Sequence, residues 1–123
     1  MTHTHHAIDY IELAGGDLEA TKAFYASAFG WEFTDYGPEY AGIRMPGGSQ
    51  DGGAEVGGID GTVTGSVGST LVLLYSDDLD ASVAAVRSAG GAVTKEPYTF
   101  PGGRRFCVTD PGGNQLGVWQ STE

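Results

Sequence analysis

The residues that could do chemistry near the start of this chain lie on one short alternating segment. Apolar and polar side chains alternate over 7–13, which predicts a β-strand. Side chains two apart share a face of a strand, so Tyr10 and Glu12 are expected side by side. A carboxylate is costly to bury unless it is paired. Glu12 is therefore predicted to face a pocket or an interface, with plain solvent exposure as the open alternative.

Three histidines, His3, His5 and His6, precede this strand, and no histidine follows them. Imidazoles at this spacing could gather a divalent cation, but a frayed terminus holds ligands poorly. A solvated tail is the prediction for 1–6. A Ser-His-Asp triad is excluded for the rest of the chain, because the imidazole that it needs is missing there.

In the second half of the chain, one cysteine and several charged residues are candidates for a functional site, but each has a simpler structural explanation. Cys107 lies mid-strand and is predicted to be a small buried thiol, with no base beside it in the sequence. Arg104 and Arg105 could contact an anionic ligand group, although a solvated strand edge is the default. Three aspartates resemble a calcium loop but lack its glycine and distal glutamate, so helix capping explains them better: Asp77, Asp78 and Asp80.

An internal repeat organises the elements that must position these residues. Shifting the sequence by 61 places Leu13–Gly30 on Leu74–Gly91, with eight of eighteen positions identical. Both copies are typical of a strand end, an aspartate helix cap, about three helical turns and a glycine stop. In the first helix the predicted core-facing stripe is Ala20, Phe24 and Ala28, and in the second it is Leu79, Val83 and Val86.

Short strands follow each helix, so the predicted element order is β-α-β-β-β, repeated. The predicted strands outside the repeat are 31–35, 40–45, one within 54–59, then 92–98, 104–109 and 115–120. The last two are joined by a predicted hairpin turn over 110–114. Nine of the twenty-two residues in 47–68 are glycine, and no lysine follows as a phosphate-binding loop would need, so a flexible connector is predicted there.

Composition narrows the possible partners. The chain has 123 residues, a size typical of one domain, and 16 acidic against 6 basic residues give a net charge of −10. Such a field repels a phosphate backbone or an anionic lipid surface, so neither nucleic acid nor membrane is an expected partner. No apolar run has transmembrane length, no signal peptide is evident, and the only cysteine is Cys107, which predicts a cytoplasmic location.

The doubled unit resembles the vicinal oxygen chelate superfamily, which includes glyoxalase I, bleomycin resistance proteins and extradiol dioxygenases. The residues that carry the resemblance are Asp17-Leu18 through Phe29-Gly30-Trp31, Asp77–Asp80 through Gly90-Gly91-Ala92-Val93, and Asp110-Pro111-x-Gly113-Asn114. The resemblance implies an α+β fold of two tandem β-α-β-β-β modules, whose curled mixed sheets enclose a cavity. The modules are expected at about 7–60 and 70–121, with a connector at about 61–69, in one domain over 1–123 that pairs as a homodimer.

Metal-dependent members of that superfamily hold Fe, Mn, Ni or Zn with His, Gln or Glu on the first and last strands of each module. Carried over to this sequence, those positions are Tyr10, Leu71, Gly117 and one near Val56, beside Glu55. Leucine and glycine side chains cannot ligate a metal, and one glutamate does not hold an ion. No metal or other cofactor is therefore expected.

Without a metal, the same strand faces describe a wall of aromatic and aliphatic side chains with carboxylates. The candidate ligand-binding residues are Tyr10, Glu12, Glu55, Leu71, Leu73, Tyr75, Gly117 and Trp119. Such a wall suits a small, partly apolar, cationic ligand, although Leu73 is expected to fill the core. The predicted function is metal-independent binding of a small organic molecule. The alternatives are a metal-dependent lyase, isomerase or dioxygenase, and a dimeric interaction module with a vestigial pocket.

Overall fold

A computed structural model of the chain describes residues 3–44, 55–66 and 68–122. Residues 10–70 and residues 2–9 with 71–123 form two compact units, here called the first and second unit, and the division falls within the first strand, after Asp9. The predicted flexible connector lies partly outside the described residues, at 47–54 and 67. Within the part of the chain that is described, no helix is long and apolar enough to cross a membrane.

The predicted order of elements, β-α-β-β-β twice over, is confirmed. The strands and helices are β1 (Ile8–Ala14), α1 (Leu18–Phe29), β2 (Glu32–Asp35), β3 (Tyr40–Arg44), β4 (Glu55–Asp60), β5 (Leu71–Tyr75), α2 (Leu79–Ser88), β6 (Ala92–Phe100), β7 (Gly103–Thr109) and β8 (Gln115–Ser121). Most strand ends differ from the predicted ends by one or two residues, which is the usual uncertainty at element termini.

The two units have matching sheets of mixed strand direction. In the first unit the strand order is β2-β3-β4-β1, with β1 and β4 parallel and the other pairs antiparallel. In the second unit the order is β5-β8-β7-β6, with β5 and β8 parallel and the others antiparallel. Each unit therefore places its first and last strands side by side. These are the two strands of each module on which the site residues were predicted.

Each sheet packs one face against its own helix. The first core contains Leu18, Ala41, Ile43 and Ile59, and the second contains Leu79, Val83, Phe106, Val108 and Val118. Because strand side chains alternate, the residues that flank these core positions point to the opposite face of the sheet. That opposite face carries the predicted site residues.

The helix starts follow the repeat. The Asp17 carboxylate accepts the Ala20 N–H at 3.0 Å, and the Asp78 carboxylate accepts the Ala81 N–H at 3.1 Å. Gly30 ends α1 with φ 74°, a left-handed conformation that glycine adopts without strain. Both predicted caps are confirmed.

The predicted core stripe of α1 is wrong, whereas that of α2 is confirmed for its buried Leu79 and Val83. Ala20 and Ala28 are exposed and Phe24 is 58% exposed, while Leu18 is buried. The helix is rotated about its axis relative to the predicted orientation, because Tyr25 stacks on Trp31, with ring centroids 4.5 Å apart and planes 11° apart. Leu18 and Tyr25, seven residues apart, define the core face instead, because Leu18 is part of the first core and Tyr25 packs against it.

Candidate functional site

The face of the first sheet that points away from its helix and core, here called the outer face, has two glycines side by side at its centre. Gly58 of β4 pairs with Glu12 of β1 on one side and with Gly42 of β3 on the other. Residues directly opposite one another across a sheet share a face. The side chains of neighbouring residues therefore have room to lie over this bare backbone.

Tyrosine and glutamate side chains occupy that room. A Cβ atom at position 58 would overlap the Tyr40 hydroxyl and lie 2.7 Å from the Tyr10 hydroxyl. One at position 42 would overlap the Glu55 carboxylate. These separations are all shorter than real Cβ contacts. Glycine is therefore needed at each of the two positions for the tyrosine and glutamate side chains to lie where they do.

Five residues form a continuous hydrogen-bonded network over the glycines, here called the tyrosine–glutamate network. Tyr36 donates to Glu55 Oε1 at 2.6 Å, and Tyr10 lies 3.0 Å from Glu55 Oε2 as donor. Tyr40 lies 3.0 Å from Glu12 Oε2, also as donor, and the oxygens of Tyr10 and Tyr40 are 2.9 Å apart. The predicted grouping of Tyr10 with Glu12 on one face is confirmed by this geometry, and Glu55 joins them.

A β-bulge points Glu55 at the network. The pairing of β3 with β4 shifts between Ile43 and Arg44, so that Ile43 pairs with Gly57 and Arg44 with Glu55. Val56 is the extra residue, and it packs against the core. Strict alternation from Gly58 would have put Val56 on the outer face and Glu55 on the core face. The bulge exchanges the two.

The phenols of the network are held in their protonated form. Burial, reinforced by the Tyr40 hydrogen bond and the Glu55 charge, raises the pKa of Tyr10 far above its usual range. Burial also raises the pKa of Tyr40, and the Glu12 charge adds to this rise against an opposing hydrogen bond from Tyr10. The hydrogen bond to Glu55 raises the pKa of the more exposed Tyr36. At neutral pH these hydroxyls are donors and acceptors, not phenolates.

Two of the five network residues, Tyr36 and Tyr40, were missed by the sequence-based reasoning. They flank the Gly37-Pro38 turn between β2 and β3, where the Tyr36 N–H donates to the Tyr40 carbonyl at 3.0 Å. The available signal was the pair of strand glycines, Gly42 and Gly58. An interior strand glycine marks a place where something approaches the backbone closely.

Around Gly117, the corresponding face of the second unit is apolar. Gly117 of β8 pairs with Leu73 of β5 and with Cys107 of β7. A Cβ at position 117 would overlap Leu73 and lie 3.5 Å from a methyl of Leu71. Leu73 is 4% exposed. Leucine side chains thus cover this glycine as phenol hydroxyls cover Gly58.

Tyr75 and Trp119, the remaining candidates, lie together at the end of the same face with His3. The His3 ring stacks on Tyr75 at 4.4 Å and meets the edge of Trp119 at 4.9 Å. Its Nδ1 lies 2.8 Å from Asp9 Oδ1. The prediction of a solvated tail is therefore wrong for His3, because stacking and a carboxylate hold its ring. His5 also has a partner, since its Nδ1 accepts the Asp77 N–H at 2.8 Å.

The arginine candidates have partners within the protein. Arg104 meets Asp80 at 3.5 Å, and Arg105 donates to the Tyr98 hydroxyl. Cys107 is half-buried. None of these contacts assembles a nucleophile with a base.

The donor set does not fit the divalent metal that the superfamily implies. Among the described residues, no group of three or more His, Cys, Asp or Glu lies close enough to hold an ion. Of the implied positions, Leu71 and Gly117 offer no ligand atom, and Tyr10 is a half-buried phenol whose raised pKa keeps it protonated. Glu55 has both carboxylate oxygens engaged by tyrosines.

Two mixed β-α-β-β-β sheets with first and last strands adjacent define the class. The chain belongs to the Glyoxalase/Bleomycin resistance protein/Dioxygenase superfamily, whose family model matches residues 7–118. The resemblance in the sequence is thereby confirmed.

Among curated relatives, the chain is 30% identical over 92% of its length to "Putative glyoxylase CFP32" of Mycobacterium tuberculosis. It is 29% identical over 95% of its length to "Anthracycline biosynthesis protein DauV" of Streptomyces sp.. The chain spans only 45% and 42% of these two proteins.

Solved structures share the fold. The Mn(II)-bound glyoxalase from Novosphingobium aromaticivorans is 25% identical with a TM-score of 0.64, over 98% of this chain and 40% of that one. Streptomyces coelicolor methylmalonyl-CoA epimerase in complex with 2-nitronate-propionyl-CoA is 21% identical with a TM-score of 0.65, over 98% of this chain and 100% of that one.

Proposed function

We propose that the chain binds a small organic molecule on the tyrosine–glutamate network without a metal ion, and that the ligand carries a cationic or N–H donor group beside an apolar part. The observation that carries this proposal is the 2.9 Å contact between the Tyr10 and Tyr40 oxygens. Both phenols also contact a glutamate oxygen, at 3.0 Å in each case.

The number of phenol protons in the network indicates that the site prefers a ligand that donates hydrogen bonds. Each phenol has one proton, so Tyr10 can donate either to Glu55 or to Tyr40, and Tyr40 either to Glu12 or to Tyr10. Three oxygen–oxygen contacts thus share two phenol protons. A ligand that donates N–H bonds to these oxygens relieves the shortage, and a positive charge is further favoured by two carboxylates and the phenol rings.

The wider molecule favours the same ligand class. A net charge of −10 attracts small cations and repels anions. One relative is named an anthracycline biosynthesis protein, and one structural neighbour holds a small organic ligand. Both proteins are consistent with small-molecule recognition on this fold.

The test is a thermal-shift screen of tag-free protein in EDTA, with amines paired against hydroxyl analogues of the same shape. A ligand at about 100 times its Kd stabilises the folded state by about 2.7 kcal/mol. We expect hits among the amines and none among their neutral partners. Hits confined to anions, or to neutral compounds that have no N–H group, would overturn the proposed ligand class.

Variants localise the site. Tyr40→Phe and Glu12→Gln are each expected to weaken binding of the best amine at least tenfold, because the first removes a hydroxyl of the network and the second removes a negative charge. Glu39→Gln is the matched control, since Glu39 is exposed on the same unit and outside the network. Equal weakening by Glu12→Gln and Glu39→Gln, with none by Tyr40→Phe, would show that overall charge, rather than the network, holds the ligand.

A metal-dependent lyase, isomerase or dioxygenase is the second candidate, favoured by the Mn(II)-bound glyoxalase among the neighbours. Elemental analysis, with melting curves in Ni, Zn, Mn and Fe(II), separates the two. Stoichiometric metal or a large metal-dependent rise in Tm would replace the first proposal with this one.

A homodimer in the cytoplasm completes the proposal. Sedimentation of the protein with and without the best ligand tests the dimer. A tight dimer that binds neither an amine nor a metal would instead support an interaction module with a vestigial pocket.

A further inference from the structure

The His3 ring lies between Tyr75, Trp119 and Asp9 of the second unit. These three residues, here called the cradle, offer the kinds of contact that a ligand site offers. The His3 imidazole is stacked on Tyr75, with planes 13° apart, and lies edge-on to Trp119 at 81°. The His3 side chain keeps only 20% of its exposure. Parallel stacking on one side and an edge contact on the other are the two arrangements that aromatic rings prefer.

The polar end of the cradle is the Asp9 carboxylate, and both of its oxygens are used. Oδ1 lies 2.8 Å from His3 Nδ1, and Oδ2 accepts the Trp119 Nε1–H at 2.9 Å. An ionised carboxylate only accepts hydrogen bonds, so Nδ1 carries the proton. The cradle therefore has the shape and polarity that fit a planar ring with one N–H donor.

The walls of the cradle are fixed without His3. Asp9 belongs to β1, Tyr75 to β5 and Trp119 to β8. The Tyr75 hydroxyl accepts the Ser121 N–H at 3.1 Å, and the Tyr75 N–H donates to the Ala7 carbonyl at 3.1 Å. Since these residues lie on hydrogen-bonded strands and His3 precedes them, the cradle persists when the imidazole leaves.

We propose that this cradle is a second binding site, for a free planar N–H heterocycle of the imidazole class, and that His3 is its built-in competitor. The ligand N–H donates to Asp9 Oδ1, and its ring takes the place of the His3 ring on Tyr75. This site goes beyond the proposed function, which concerns the first unit. A tethered group competes at an effective concentration of about millimolar, so His3 weakens the free ligand by mass action.

Chemical rescue with imidazole tests the site. The probe is imidazole, titrated into ¹⁵N-labelled protein while NMR follows the indole N–H resonance of Trp119. In His3→Ala we expect a saturable shift, with an apparent Kd at least tenfold lower than in the parent protein. Adding Asp9→Asn to His3→Ala should abolish saturation.

The matched control is His5→Ala, which removes a neighbouring imidazole and leaves His3 in the cradle. It should bind imidazole as weakly as the parent protein. Failure of His3→Ala to saturate, with its circular dichroism unchanged, would overturn the proposal. Equal binding by His5→Ala and His3→Ala would also overturn it. Amine binding by the first unit is unaffected by either result, so the two proposals fail separately.

Discussion

In the first unit, Gly58 lies between Glu12 and Gly42, and phenol hydroxyls lie over it. In the second unit, Gly117 lies between Leu73 and Cys107, and leucine methyls lie over it. The shift of 61 that defines the repeat also pairs Glu12 with Leu73. One backbone position thus carries polar chemistry in one unit and apolar packing in the other.

The largest expected effect comes from giving the second unit the residue of the first. Leu73→Glu places a carboxylate at a position that is 4% exposed, with leucine and glycine around it. We expect the free energy of unfolding to fall by about 3 kcal/mol or more, measured by urea denaturation. Leu73→Met is the size control and should cost less than about 1.5 kcal/mol.

The reverse exchange should be mild. In Glu12→Leu the Tyr40 hydroxyl loses one acceptor but still meets Tyr10 at 2.9 Å. We expect a loss of about 1 kcal/mol in the same urea measurement. If the two exchanges were equally costly, the proposed difference between the units would be wrong.

Adding a methyl group to each glycine should cost about 1–3 kcal/mol through overpacking. The consequences differ, because Gly58→Ala displaces the Tyr10 and Tyr40 hydroxyls and Gly117→Ala displaces Leu73. Amine affinity should therefore be lost in Gly58→Ala and kept in Gly117→Ala, as measured by calorimetry. The opposite pattern would move the site to the second unit.

Alkaline pH should weaken the protein through the network. The pKa values of Tyr10 and Tyr40 are raised in the folded state, so the unfolded chain loses these protons first, near pH 10. Their contribution is complete below that pH and declines above it, by up to about 1.4 kcal/mol per pH unit for each phenol. Denaturation between pH 9 and 11.5 checks this, and Tyr10→Phe should flatten the decline. An equally steep fall in Tyr10→Phe would assign the effect to other groups.

The smallest effects should be equal in the two units. Asp17→Ala and Asp78→Ala each remove a helix cap with one carboxylate–amide hydrogen bond, of 3.0 and 3.1 Å. Each should lower the free energy of unfolding by about 1 kcal/mol in urea denaturation. A large difference between the two losses would show that the two caps have the same geometry but contribute unequally to stability.

Features set by local chemistry could be predicted from the sequence. The repeat gave the element order, and aspartate and glycine gave the helix ends, because caps depend on a few neighbouring residues. Features set by packing across strands were missed or, as for the candidate Glu55, named without the reason for their position. The α1 face follows from the stack of Tyr25 on Trp31, and the role of Glu55 follows from a bulge at Val56 that alternation does not reveal.

The candidate site shows the same division. The pairing of Tyr10 with Glu12 follows from strand periodicity, whereas Tyr40 enters the network only once the β3–β4 register is known. His3 was assigned to a solvated tail because nothing in the sequence links it to Tyr75, which lies 72 positions away. Long-range contacts of this kind are decided by the folded sheet.

The two tryptophans have a practical consequence. Trp31 stacks on Tyr25 in the first unit, and Trp119 contacts Tyr75 in the second. The chain contains no other tryptophan. Intrinsic fluorescence is therefore divided between the units, and replacing either indole with phenylalanine leaves a single reporter. Two such variants would show whether the halves of this molecule melt together or in sequence.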